Sequence, residues 1–305
     1  MRFNRRRFLQ TTALAAIPAQ CANAQQDECP ADKGSSSYGA DMSKLGFTEQ
    51  TFGDGMYSHA VYSKGKGPVV IVMHELPGMD MYAVRFANRL VDHGFEVHMP
   101  LLFGHALVHS PNLNYARLCI NKEFANLKAN TSAPVCDWVR ALANHLGEGK
   151  SGRNIGVIGM CVTGAFAIPV IIDSKVKTVI VSQPAIPVSM TYYLTKMGEG
   201  SWMEKLNITD ADLNNAAATA RQENLHLIVQ RFKEDRRCPP SRARRIASAF
   251  GDNASLCEYD RPRPYADKPH ALMTIEYDEA ECSPENSTRV ALAQVVAFLH
   301  EHLDG

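Results

Sequence analysis

Five short apolar runs recur along this chain of 305 residues: "PVVIVM" at 68–73, "FEVHMP" at 95–100, "NIGVIG" at 154–159, "KTVIVSQP" at 177–184 and "LHLIVQRF" at 225–232. A continuous apolar run of this length is what a strand buried on both faces requires. Between them lie stretches with helical spacing. "MYAVRFANRLVDHG" places Tyr82, Val84, Phe86, Leu90 and Val91 along one stripe and stops at Gly94. "APVCDWVRALANHLG" does the same with Val135, Trp138, Val139, Leu142 and Leu146. Strands joined by crossover helices give a mostly parallel sheet with helices on both faces, so the fold class is α/β.

The remaining segments fit this frame. "FTEQTFGDGMYSHAVYS" reads as a hairpin turning at Gly53-Asp54-Gly55, "PPSRARRIASAFG" as a helix and "SLCEYDR" as a strand. "CVTGAFAIPVII" reads as a helix, and "SPENSTRVALAQVVAFLHEHL" as the closing helix with Pro284 near its first turn. Residues 101–133 are irregular and long for a connection, a place where a binding surface is expected. Residues 185–224 form an insertion that turns helical from the Thr209-Asp210 cap.

The first 24 residues stand apart. "MRFNRRRFLQTTALAAIPAQCANA" has an arginine-rich start, a short apolar stretch and small residues at Ala22-Asn23-Ala24, the layout of an export signal. "NRRRFLQ" resembles a bacterial twin-arginine signal, which makes the twin-arginine export machinery a partner of the precursor and the periplasm or exterior its destination. Lipidation at Cys21 is disfavoured by Gln20. Residues 25–44 read as a polar, Gly/Ser-rich lead-in, and one domain spans 45–305. No later run reaches the length of a spanning helix, so no stable membrane anchor is expected. Basic and acidic side chains balance at 32 each, which leaves no electrostatic footprint for nucleic acid. Seven cysteines follow the signal: Cys29, Cys119, Cys136, Cys161, Cys238, Cys257 and Cys282. In an oxidising compartment six of them could form up to three bridges while Cys161 stays free.

Cys161 is the residue around which chemistry is expected. Strand, Gly159, Met160, Cys161, Val162, Thr163, Gly164, helix is the nucleophile-elbow order with sulfur in place of the usual serine oxygen. The turn demands small neighbours, and it sets the thiol at a helix N-terminus that favours thiolate. The amide of Val162 points into the same space and can hold an oxyanion. In this architecture an acid and then a histidine follow the nucleophile. Asp235 lies after "LHLIVQRF", with Glu234 beside it, and His270 lies after "SLCEYDR", with Asp260 and Asp267 also preceding it. Of eleven histidines, His270 alone falls in the loop before the last helix.

The segment "VVIVMHELPGM" resembles the dienelactone hydrolase family, a cysteine-dependent branch of the α/β-hydrolases, in its strand followed by Glu75-Leu76-Pro77-Gly78. "RLVDHGFEVHMPLLFG" matches the same family's next helix and strand. The resemblance runs from about residue 47 to the end, with weaker fit at 104–130 and 185–222. It implies an α/β-hydrolase fold, Cys161 as nucleophile, Asp235 and His270 as its partners, and Glu75 as the acid that meets the thiol at rest. It also implies the backbone amides of Leu76 and Val162 as oxyanion donors and a small-molecule ester or lactone as substrate. On physical grounds too, a buried carboxylate beside a thiol can accept its proton.

Two departures stand out. Thr163 occupies a position where the family has glycine, and no arginine follows His270 to hold a substrate carboxylate. The basic run Arg236, Arg237, Arg242, Arg244 and Arg245 reads as a solvated helix face. Zinc-type Cys/His spacings are absent, so neither a metal nor an organic cofactor is expected. The alternative is a redox-sensing or ligand-binding protein that has kept the fold without hydrolytic turnover.

Overall fold

The runs that are apolar in sequence are the strands that lie deepest. The structure, a computed structural model, describes residues 41–120, 122–124, 133–186, 203–262, 269–281 and 283–304. The export signal, most of the lead-in, and residues 125–132 and 187–202 lie outside these residues.

Eight strands form one sheet: β1 (Thr48–Gly53), β2 (Ser58–Lys64), β3 (Val69–Met73), β4 (Glu96–Pro100), β5 (Ile155–Met160), β6 (Val176–Ser182), β7 (His226–Phe232) and β8 (Ala254–Tyr259). Their spatial order is β1-β2-β4-β3-β5-β6-β7-β8. The β1–β2 and β2–β4 pairings are antiparallel, and every pairing from β4 through β8 is parallel. All five residues of β3 are buried. Val69, Ile71 and Met73 enter one core while Val70 and Val72 enter the other, because successive side chains on a strand point to opposite faces.

Helices α1 (Met81–Asp92) and α6 (Ser287–Leu303) cover one face. Helices α3 (Pro134–Leu146), α4 (Asp210–Glu223) and α5 (Pro240–Phe250) cover the other. Asp80 caps α1 by accepting from the amides of Tyr82 and Ala83, and the helix buries Ala83, Val84, Phe86, Ala87 and Leu90. Each large side chain in that stripe contributes roughly 1.5–3 kcal/mol by leaving water. Tyr82, placed on the same stripe by spacing alone, is exposed. Thr209 forms the expected cap of α4, closed reciprocally with Asp212. Among the described residues no helix is long and apolar enough to cross a membrane.

Some expectations change. Residues 101–133 are not irregular throughout, since they contain helix α2 (Pro111–Ile120), whose weak apolar stripe hid it. Pro284 lies ahead of α6 rather than in its first turn, and Asn286 is the cap. The segment after β5 is not an α-helix. It is three successive 3-10 turns, 161–163, 165–167 and 169–171, closed by bonds such as Gly164 N to Cys161 O and Ile168 N to Ala165 O. Pro169 has no N–H to give the carbonyl of Ala165, which removes the α-type bond in the middle of the run.

Candidate active site

β3 and β5 are neighbours, yet the chain leaves β3 toward β4 on one side and reaches β6 from β5 on the other. Such a reversal opens a crevice beyond the carboxyl ends of the two strands. Glu75 follows β3 and Cys161 follows β5, so the crevice brings them together. Asp235 and His270 come after β7 and β8, along the same rim.

The elbow is built from three constraints. Cys161 has a left-handed backbone, φ 53°, which costs a non-glycine residue energy and persists only where surroundings enforce it. The enforcement is visible: Cys161 O accepts from Gly164 N at 3.1 Å and from Ala185 N at 2.8 Å. Gly159 is required because a Cβ there would stand 2.5 Å from Thr163 O. Thr163 is more than a tolerated substitute for glycine. Its Oγ1 accepts from Met160 N at 3.0 Å and lies 2.9 Å from Met160 O and 3.3 Å from the carbonyls of Met73 and His74. The hydroxyl thereby ties the end of β3 to the turn after β5. Because the turn is a three-residue 3-10 element, it offers fewer aligned peptide dipoles than the helix expected there.

Cys161 Sγ, a ring nitrogen of His270 and a carboxylate oxygen of Glu75 lie within 4.8 Å of one another, and all three residues are buried. His270 Nδ1 meets Asp235 Oδ2 at 2.8 Å. Its Nε2 is buried with no close hydrogen bond, which leaves that nitrogen for the sulfur. Burial pulls the imidazole down, but the charges of the Cys161 thiolate and Asp235, with the Asp235 hydrogen bond, outweigh it and push His270 up to about 10. Burial pushes the Glu75 carboxyl up, against the opposing pull of His270 and of the bond from Thr274. Leu76 and Val162 immediately follow Glu75 and Cys161, and no described turn or cap hydrogen bond engages either amide.

Two of the three alternatives to Asp235 fall away. Asp260 pairs with Lys233 in solvent, Glu234 is exposed, and Asp267 lies outside the described residues. Cys136, Cys238 and Cys257 are free thiols, so the bridges open to them in sequence are not made. Burial raises all three above the usual thiol range. Cys29, Cys282 and the side chain of Cys119 lie outside the described residues.

Three supporting residues escaped the sequence reading. Thr274 donates to Glu75 Oε1. Arg231 is 1% exposed and clasps the loop that carries the acid: Nε donates to Cys238 O at 2.8 Å, and Nη2 to Lys233 O at 2.9 Å and Asp235 O at 3.4 Å. Glu258 pairs with its third nitrogen. Arg242 is buried, not part of a solvated face. Its guanidinium donates to the carbonyls of Lys205, Pro184 and Arg237, pinning the inserted segment to α5. Thr274 reaches Glu75 across 199 positions and Arg242 reaches Lys205 and Pro184 across 37 and 58, whereas the partners of Arg231 are close in sequence but form no periodic pattern.

His74 is the fourth. It is fully buried beside Glu75, with Nδ1 3.1 Å from Glu75 O, while Nε2 accepts from Leu102 N at 3.2 Å. That bond requires neutral imidazole, and burial lowers His74 to about 4. A histidine depressed in the folded state contributes stability that is present above its unfolded value near 6.5 and is lost as pH falls through about 4. Urea unfolding between pH 7 and 4 should show a decline of about 3 kcal/mol from this residue, and His74→Gln should flatten the part of the decline that His74 causes.

The architecture now has parallels among solved structures. The chain has the α/β-hydrolase fold. Residues 56–201, just short of half the chain, match the family model described as the dienelactone hydrolase family. A structure described as a putative dienelactone hydrolase from Klebsiella pneumoniae is similar at a TM-score of 0.55 and 16% identity, covering 84% of this chain and 98% of that one. A dienelactone hydrolase-like promiscuous phosphotriesterase from metagenomic libraries gives 0.55 and 14%, over 83% and 98%. An esterase of Pyrococcus furiosus gives 0.51 and 14%, over 87% and 96%. No curated protein matches the chain. Cys161 occupies the turn directly after β5, and Asp235 and His270 follow it later in the chain.

Proposed function

We propose that the chain is an exported, dienelactone hydrolase-like enzyme that cleaves ester or lactone bonds through a Cys161-His270-Asp235 triad. One observation carries the reading: the sulfur, an imidazole nitrogen and a buried carboxylate meet within 4.8 Å at a strand-end crevice, with Asp235 behind the ring at 2.8 Å. The export part of the proposal rests on residues 1–24 of the sequence.

In the first half of the reaction the Cys161 thiolate attacks the carbonyl carbon and a C–S bond forms. Negative charge moves to the carbonyl oxygen, where the amides of Leu76 and Val162 receive it. Collapse expels the alcohol oxygen, which takes a proton from His270 imidazolium. With sulfur acylated, the thiolate charge that raised His270 is gone, so the imidazole is left neutral and fit to act as a base. In the second half Nε2 takes a proton from water, hydroxide attacks the thioester carbonyl, and the C–S bond breaks to release the acid. Glu75, made a better proton acceptor by burial, takes the thiol proton in the resting site.

The test is a panel of p-nitrophenyl esters and small lactones offered to the purified protein. Turnover above the uncatalysed rate on at least one member is expected. Inertness toward every ester and lactone would sink the proposal.

A further inference from the structure

The three groups that converge on the reacting atom have a second capability that hydrolysis does not use. Sulfur, imidazole nitrogen and carboxylate oxygen are the donor types zinc accepts, at about 2.3, 2.0 and 2.0–2.2 Å. Around one tetrahedral centre such atoms stand roughly 3.3–3.5 Å apart. Those of Cys161, His270 and Glu75 are already within 4.8 Å of one another, so side-chain adjustments of about an ångström would close them on an ion.

Other features favour a cation there. His270 Nε2 is buried with no close hydrogen bond, and its other nitrogen is held by Asp235 at 2.8 Å. A zinc-ligating histidine is ordinarily fixed by a carboxylate on its second nitrogen, and that arrangement is in place. Thr274 orients Glu75 through Oε1, which leaves Oε2 to ligate. A thiolate and a carboxylate together match the charge of a divalent ion, so the ion with its three ligands would carry no net charge. The ligands are spread from position 75 to position 270, and for that reason no local spacing motif betrays them.

We propose that this site binds one zinc-class divalent cation through Cys161, His270 and Glu75, and that occupancy switches the thiol off. Sulfur, nitrogen and oxygen each donate a lone pair to the ion, and the protons that His270 Nε2 and the Cys161–Glu75 pair hold in the resting site leave to solvent. No atom changes oxidation state. The nucleophile and the base are then both spent as ligands, so ester attack stops until the ion is removed. Magnesium and calcium, which demand oxygen ligands, should not compete. The switching half rests on the hydrolase reading, and the binding half does not.

The full-length chain, stripped with EDTA, would be titrated with zinc against a chromophoric zinc indicator, beside Cys161→Ser and Glu75→Gln. One ion per wild-type chain is expected at this site, lost in Cys161→Ser and weakened about tenfold or more in Glu75→Gln. Cys136, Cys238 and Cys257 remain in both variants, so a loss assigns the ligand. Cobalt(II) on the wild type gives a readout free of substitutions: a thiolate-to-cobalt charge-transfer band and the intense visible bands of a tetrahedral site. Zinc should abolish aryl-ester turnover and EDTA should restore it. Binding undiminished in Cys161→Ser, an absent cobalt–thiolate band, or turnover unaffected by bound zinc would each overturn the proposal. Zinc bound through Cys161 with no ester turnover in any arm would uphold the site and sink the hydrolase reading instead.

Discussion

Cys161→Ala is expected to reduce turnover of a small aryl ester to the uncatalysed rate, a loss of about four orders of magnitude or more. The size follows from the mechanism. Without sulfur no acyl-enzyme can form, and the thiolate charge that keeps His270 protonated disappears as well. The fold should survive. Alanine must adopt the same left-handed backbone as Cys161, so strain there is unchanged, and loss of one small buried side chain costs about 1 kcal/mol. Kinetics and a melting curve on the same preparation check both halves. A variant that melts a few degrees lower and is inactive fits the account, whereas one keeping a tenth of wild-type activity contradicts it.

Asp235→Asn should lower turnover by about two to four orders of magnitude with little change in stability. Asp235 Oδ1 accepts from the amides of Arg237 at 2.8 Å and Cys238 at 3.1 Å. An asparagine oxygen can keep both bonds. Its NH2 group must then face His270 Nδ1, where the carboxylate now accepts. The ring would be driven to the tautomer that carries its proton on Nε2, pointing at the sulfur instead of being ready to receive. The negative charge that helps hold His270 up to about 10 is lost as well. In the wild type, acylation needs imidazolium, so kcat/KM should persist into the alkaline range and fall as pH rises through about 10. In Asp235→Asn that fall should move to lower pH. An unmoved limb with full activity would remove Asp235 from the site.

Much of this arrangement was legible in the chain because it rests on local patterns. Residues 69–73 read as a doubly buried strand, and the Gly159-to-Gly164 string as a tight corner at a strand end. Strand-end placement then selected Asp235 and His270 from a crowd of acids and histidines. What stayed hidden depends on specific side-chain contacts that no periodic pattern records. Thr163 looks like a poor glycine substitute until the carbonyls of Met73 and His74 are seen around its hydroxyl. Arg231 sits in an apolar strand with nothing in the sequence to mark it, yet it is buried against the loop that carries Asp235. Arg242 belongs to a run of five arginines whose pattern suggests solvent, and the carbonyls of the inserted segment draw that one side chain inward. The 3-10 winding after Cys161 follows from Pro169 and from the second bond on the Cys161 carbonyl, and helical periodicity registers neither.

The most direct measurement is intact-protein mass spectrometry of the wild type quenched in acid during turnover of a slowly hydrolysed aryl ester, followed by peptide mapping. The account predicts a mass increase equal to one acyl group, located on the peptide containing Cys161 and decaying as acid product appears. Hydrolysis without any such adduct, or an acyl group mapped to another residue and persisting in Cys161→Ala, would contradict it.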